Sequence, residues 1–251
     1  ITCRDWSSDV CSSDLVYRPL HADDPNFQDY TVRVSRNEDQ LIKDIQKLIE
    51  EGDRIYKHDL LDLPSIHFDR HVYQPLLIER GAKVRSSPSG LNPSEQQFVD
   101  DLRSYCKSEG NRSLAGAEVF LLRNLSRGKG VGFFEGRGFY PDFILWIKTK
   151  KDQRIIFIEP HGMLHAEAYD HDEKARLHES MPELSQTICS RSTYRNITLD
   201  SYIVSATPYG DLRKRYGDGS WDRVRFAKAH ILFPDSDSEF DYIGTIFRCP
   251  L

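Results

Sequence analysis

Apolar and polar positions along this chain form several helical stripes, a few short alternating stretches and two dense apolar runs joined by a charged segment. The runs are Gly138-Phe-Tyr-Pro-Asp-Phe-Ile-Leu-Trp-Ile147 and Ile155-Ile-Phe-Ile-Glu-Pro-His-Gly162. Both are rich in β-branched and aromatic residues and have the length of buried strands. Lys148 to Arg154 between them is charged and has no helical period, so the pattern predicts a β-hairpin. Asp142, Ile144 and Trp146 fall on one face of the first strand, and Phe143, Leu145 and Ile147 on the other. Apolar residues on both faces place the hairpin centrally, with helices covering each side.

A turn centred on Lys150 and Lys151 sets Asp142 directly opposite Glu159; a turn of odd length makes them diagonal neighbours. Side chains facing each other in this way sit about 5 Å apart at Cβ, where like charges are destabilising. A carboxylate pair on apolar strands therefore calls for a compensating partner, and a hard divalent cation with oxygen ligands suits it. His161, two residues beyond Glu159, shares its face.

Around the hairpin, Tyr30, Val32 and Val34 alternate as a half-buried strand. Ser35-x-x-Glu38 has the form of a capping box for a helix carrying Leu41, Ile42, Ile45, Leu48 and Ile49. Asn92-Pro-Ser-Glu95 opens a further helix, with Asn as N-cap and Pro at its first position. Ala117 to Arg123 is expected as a strand flanking the hairpin. Asp170 to Ser180 reads as a polar helix broken at Pro182. Leu199 to Ala206 reads as a strand, Asp211–Tyr216 and Trp221–Ala229 as short basic helices. Ile231–Phe233 and Tyr242–Phe247 read as small terminal strands. The sequence divides into 1–15, a strand-helix extension and connector over 16–90, and a main domain over 91–251.

Composition changes this picture little. The chain has 251 residues, 39% of them hydrophobic, enough for one sizeable core. Mean hydropathy is −0.57, and no apolar run approaches the roughly 20 residues that span a bilayer. Asp5 to Leu15 looks like the conceptual translation of a sequencing adapter, expected to be disordered; on that reading the natural protein extends further upstream. Outside it, Cys106, Cys189 and Cys249 form no disulfide framework or CxxC motif, in keeping with a reducing cytoplasm.

The net charge of −5 does not advertise nucleic-acid binding. Residues 111–158, however, hold nine Lys/Arg against four acids, the sign expected where phosphates dock. Ser126-Arg-Gly-Lys-Gly-Val-Gly132 lacks the P-loop spacing. Its glycines, with Arg127 and Lys129, suit either a phosphate-gripping loop or a flexible turn. The histidines 161, 165, 171 and 178 do not give a zinc-binding pair on a helix with a clear third ligand, and the last three are expected on the solvated surface.

Pro141-Asp142 followed by Glu159-Pro-His161 resembles the PD-(D/E)xK nuclease signature. Asn124-Leu-Ser-Arg-Gly-Lys-Gly-Val-Gly-Phe-Phe134, Gly138-Phe-Tyr-Pro-Asp-Phe-Ile-Leu-Trp146, Phe68-Asp-Arg-His-Val-Tyr-Gln-Pro-Leu-Leu77 and Leu91-Asn-Pro-Ser-Glu95 are similar to something narrower. That is the C-terminal nuclease region of superfamily 2 helicase-nucleases related to the type III restriction Res subunit. The similarity runs from about Val16 to the C-terminus. It implies an α/β restriction-endonuclease-like αβββαβ core, a mixed central sheet flanked by helices. It also implies a metal-dependent DNA endonuclease, with an upstream helicase motor in the same polypeptide.

By the resemblance, Asp142, Glu159 and the Pro160 carbonyl hold Mg²⁺ or Mn²⁺, Glu95 assists them, and Arg127, Lys129 and Arg137 meet DNA. The family's catalytic Lys is His161 here. Lys174, on the following helix, is a substitute cation; otherwise the module is catalytically impaired and binds only DNA or a partner.

Overall fold

The computed structural model describes residues 31–40, 42–43, 66–67, 76–77, 84–87, 90–108, 117–124, 132, 139–164, 169–191, 196–216, 219–235 and 240–248. The adapter-like segment 1–15 and most of the connector lie outside these residues. In the N-terminal part, strand β1 (Thr31–Val34) is as anticipated. β2 (Ile66–His67) pairs antiparallel with β3 (Leu76–Leu77), and β4 (Val84–Ser87) pairs antiparallel with β1. The helix after β1 starts at Asp39, and its first hydrogen bond runs from Ile42 N–H to the Glu38 carbonyl. Glu38 therefore occupies the cap position expected for Ser35, whose carbonyl closes the preceding turn instead.

The main unit is a five-stranded mixed sheet of order β5-β6-β7-β8-β9 with helices on both faces. Its strands are β5 (Glu118–Arg123), β6 (Phe143–Lys148), β7 (Gln153–His161), β8 (Ile197–Ser205) and β9 (Ile231–Leu232). β5, β6 and β7 are antiparallel neighbours, whereas β8 and β9 run parallel to β7. The hairpin register is the anticipated one: Lys148 pairs with Gln153 and Phe143 with Ile158. Thr149 closes the turn, its N–H bonding the Asp152 carbonyl at 2.8 Å.

The alternation of side chains along β6 decides the layers. Phe143, Leu145 and Ile147, with Ile156 and Ile158, pack against Leu91, Phe98, Val99 and Leu102 of and beside α1 (Pro93–Lys107). The same cluster takes in Tyr242, Ile243 and Ile246. These belong to α5 (Tyr242–Arg248), a helix where the β-branched and aromatic composition had indicated a strand. Helical spacing turns those three residues to one side, and the sheet beneath them decides the conformation. On the opposite face, Ile144, Phe157, Ile197 and Leu199 meet Met181, Leu184 and Ile188 of α2 (Leu177–Arg191). α2 runs through Pro182 without ending, in contrast to the break expected there. α3 (Tyr209–Arg215) and α4 (Arg223–Lys228) stand where the two short basic helices were expected, and they build a third apolar cluster around Leu212, Trp221 and Phe226. No described helix is long and apolar enough to cross a membrane.

α1 starts where Asn92 specifies. The Asn92 side chain accepts from Glu95 N–H at 2.9 Å, and the Glu95 carboxylate accepts from Asn92 N–H at 2.8 Å. Asn92→Ala removes one of these two bonds and should lower stability by about 1 kcal/mol. In a thermal melt that is a fall of roughly 2–4 °C.

Candidate active site

The two hairpin carboxylates stand where the β6–β7 ladder stops. Pairing on β6 begins at Phe143, while β7 runs past Ile158 through Glu159, Pro160 and His161, held by β8 alone. Pro160, which has no N–H to give, is tolerated there because β7 has lost one neighbour. Asp142 N–H donates to Glu159 Oε2 at 3.1 Å, so the two acids are adjacent, as the register required. The Pro141–Asp142 step is fixed from β5. Asn124 N–H donates to the Asp142 carbonyl at 2.8 Å, and the Asn124 amide to the Pro141 carbonyl at 2.8 Å.

Two further elements converge. The N-terminus of α1 brings Glu95, which is buried. Its Oε2 completes the capping box and also lies 3.4 Å from Arg123 Nη2 at the end of β5. Glu95 thus closes its own helix and stands near enough to Asp142 for its charge to be felt there. Ser94 Oγ lies 3.3 Å from the Pro160 carbonyl. From the other side, Lys174 Nζ reaches Glu159 Oε1 at 3.2 Å and sits over the Phe139 ring, 5.0 Å from its centroid. Lys174 belongs to a turn between a 3₁₀ segment (Tyr169–His171) and α2, not to a helix as expected from the polar pattern.

Electrostatics follow from this crowding. Burial, then the charges of Glu159 and Glu95, push the Asp142 carboxyl up to about 8, against the relief that Arg123 and Lys174 give. Burial also raises Glu159, while Lys174 and His161 pull it down. His161 is exposed on the face of Glu159 and close enough for that influence.

The groups that could hold an ion are all oxygen: the Asp142 and Glu159 carboxylates and, as the resemblance implies, the Pro160 carbonyl. That chemistry suits Mg²⁺ or Mn²⁺ rather than a soft metal. Among the described residues, no three His, Cys, Asp or Glu side chains gather closely enough to enclose an ion. The same finding leaves a histidine zinc site without a ligand set among the described residues.

Of the sequence-predicted residues, Asp142, Glu159, Pro160, Glu95, His161 and Lys174 converge here. Arg127, Lys129 and Arg137 lie outside the described residues. From that loop only Gly132 is described, and it makes room for the Tyr140 ring, which a Cβ would approach to 2.5 Å. Among the described basic residues of the stretch 111–158, Arg123 stands at the site and the others do not. Lys148, Lys150, Lys151 and Arg154 lie at the turn end of the hairpin, six residues along β6 from Asp142, or roughly 20 Å at strand spacing. Sequence reading missed Arg123, Asn124, Ser94 and Phe139. The first two were accessible in principle, because a β5 strand paired in register with β6 must end beside Asp142. Comparison of the chain with protein-family models, with curated proteins and with solved structures finds no match.

Proposed function

We propose that this chain is a metal-dependent DNA endonuclease module of the PD-(D/E)xK kind, with a restriction-endonuclease-like core. The observation that carries the proposal is the meeting of partly buried Asp142 with buried Glu159 at the open end of the hairpin, joined by the 3.1 Å bond from the Asp142 N–H. Two adjacent acids of raised proton affinity, one buried and one partly buried, crowd like charges at the sheet end in a way that packing alone does not call for. The element order α1-β5-β6-β7-α2-β8, antiparallel up to β7 and parallel after it, supports the same reading. So do the sequence strings that resemble type III restriction Res-like helicase-nucleases, a resemblance that also makes an upstream motor in the same polypeptide part of the proposal.

In this reading Asp142, Glu159 and the Pro160 carbonyl hold Mg²⁺ or Mn²⁺. When bound, such an ion polarises the scissile phosphate and lowers the pKa of a coordinated water. Lys174 supplies the cation that the family places at the position of His161, and it already lies against Glu159. His161 is exposed on the same face and able to take a proton from water as a neutral imidazole. Arg123 holds Glu95, and Asn124 holds the Asp142 main chain, so both act as positioning residues.

The test is plasmid nicking in Mg²⁺ or Mn²⁺ by the wild type, Asp142→Ala and Glu159→Ala. Nicking by the wild type and background levels for both variants are expected. Equal nicking by all three removes the proposal. A second reading, a nuclease-like module that binds DNA without cutting it, is favoured by His161 in place of Lys. Gel-shift binding without nicking by any of the three would select it.

A further inference from the structure

Behind the carboxylates lies a stack of three rings that the roles above do not use. His230 follows α4 in the left-handed region, at φ 56°, which is uncommon for a residue with a Cβ. Its N–H donates to the Ala227 carbonyl at 3.0 Å, and its carbonyl accepts from Ile203 N–H at 2.9 Å. Its ring lies between His178 of α2, at 4.3 Å and 15°, and Tyr202 of β8, at 4.5 Å and 13°. His230 Nδ1 sits 3.0 Å from both the Ser201 carbonyl and Asp200 Oδ1. Both partners only accept, so Nδ1 carries a hydrogen. His178 Nδ1 lies 3.0 Å from the Ala175 carbonyl and carries one for the same reason. Each ring therefore keeps Nε2 as the place for a second proton. His178, expected on the solvated surface, is half-buried in this stack.

The stack connects to the candidate site through a short turn. Asp172 Oδ1 accepts from Lys174 N–H at 3.0 Å and from Ala175 N–H at 3.2 Å, tying one end. The His178–Ala175 bond ties the other end, and the Lys174 side chain leaves between them towards Glu159. One cavity is lined by Glu159, Lys174, Ala175, Tyr202 and His230.

We infer that His178 is a positioning residue: stacked on His230 and bonded to Ala175, it holds Lys174 against Glu159, and a proton on its Nε2, which leaves the Ala175 bond in place, drives the ring off His230 and so loosens that hold. This rests on the nuclease reading only for the use made of Lys174. The groups facing the pair set the direction. Asp200 from β8 faces His230, with Arg154 of β7 behind it at 3.9 Å. Glu179, on α2 itself, is engaged by Arg176 and Tyr169, and Lys174 lies across the cavity. The hydrogen on His230 Nδ1 points at Asp200. A proton on His178 sits in a half-buried setting, its ring 4.3 Å from that of His230. Burial and His230 accordingly hold His178 below its ordinary 6.5. The unfolded chain binds this proton more readily. The clasp is therefore fully present above 6.5 and is lost as pH falls below it.

The experiment labels lysines of the metal-free protein with an amine-reactive acylating agent between about pH 5 and pH 8. Lys174 modification is read by mass spectrometry as a ratio to exposed Lys228 in the same sample. For the wild type the ratio should be low at the upper end and rise severalfold below 6.5. His178→Gln keeps an N–H donor without titrating and should hold the ratio low further into acid. His178→Phe keeps a flat ring without the donor and should raise the ratio at every pH. Glu159→Gln marks full release of Lys174, and circular dichroism establishes that each variant is folded. An unchanged wild-type profile in His178→Gln, or wild-type protection in His178→Phe, overturns the inference. So does a proton NMR titration of wild-type His178 that places its pKa at or above 6.5. None of these readouts uses metal or DNA, so they stand apart from the nicking assay.

Discussion

Asp142→Asn is expected to stabilise the metal-free protein at neutral pH and to abolish its response to divalent cations. The folded state raises the Asp142 carboxyl from 3.8 to about 8. A folded pKa above the unfolded one means that the native state binds more protons between those values. Stability from this group is thus full below about pH 4 and is lost as pH rises through about 8. At neutral pH the wild type carries a penalty on the order of a few kcal/mol, at about 1.4 kcal/mol per pKa unit. Asn removes the charge while leaving the Asp142 main-chain bonds to Asn124 and Glu159 in place.

Thermal melts in chelator should therefore show Asp142→Asn several degrees above the wild type near pH 7.5, with the gap closing near pH 4. Added Mg²⁺ or Mn²⁺ should narrow that gap. An ion at a hundred times its dissociation constant stabilises the wild type by about 2.7 kcal/mol, and the variant has lost one of its two carboxylate ligands. A variant less stable than the wild type in chelator at pH 7.5 would show that Asp142 is structural. That result would remove the electrostatic basis of the proposed site.

The second large effect is expected at Arg154, far from the carboxylates. Its guanidinium is 4% exposed. It donates to the Ile246 carbonyl at 3.0 Å and to the Phe247 carbonyl at 3.2 Å, satisfying the C-terminal end of α5. Asp200 Oδ2 lies 3.9 Å away. Although burial pushes the other way, His230 and the Ser201 N–H hold the Asp200 carboxyl below its ordinary range, so it remains ionised. Arg154→Met fills similar space but strands two carbonyls and takes the guanidinium away from Asp200. Breaking a buried charged group out of such a setting costs about 3–5 kcal/mol, or roughly 10 °C in melting temperature. Asp200→Asn in the Arg154→Met background should recover part of that loss. A single variant melting within a degree or two of the wild type would show that α5 does not depend on this anchor.

Arg154 also marks the limit of reading by position. In sequence it belongs to the charged turn and to the basic stretch around Asp142. In space it faces α5 on one side of the sheet, at the opposite end of the hairpin from the carboxylates. A count of charges along a chain carries no information about which end of a strand holds them. Lys174 shows the converse: its sequence surroundings suggested a helix, yet the short tie through Asp172 and His178 sends it to Glu159 from a turn.

What the sequence determined by itself was periodic and local. Alternation along β6 and β7, with a charged turn between them, narrowed the hairpin to two registers, either of which makes Asp142 and Glu159 neighbours; the structure shows which one forms. The Asn92-Pro-Ser-Glu95 signal settled the start of α1, because capping is decided within four residues. The tertiary structure alone decided that Tyr242–Phe247 is helical, that Glu95 and Arg123 form one pair beside the acids, and that His178 stacks on His230. Each of these depends on which surface lies opposite, through burial and charge between residues distant in the chain, and local pattern does not encode it.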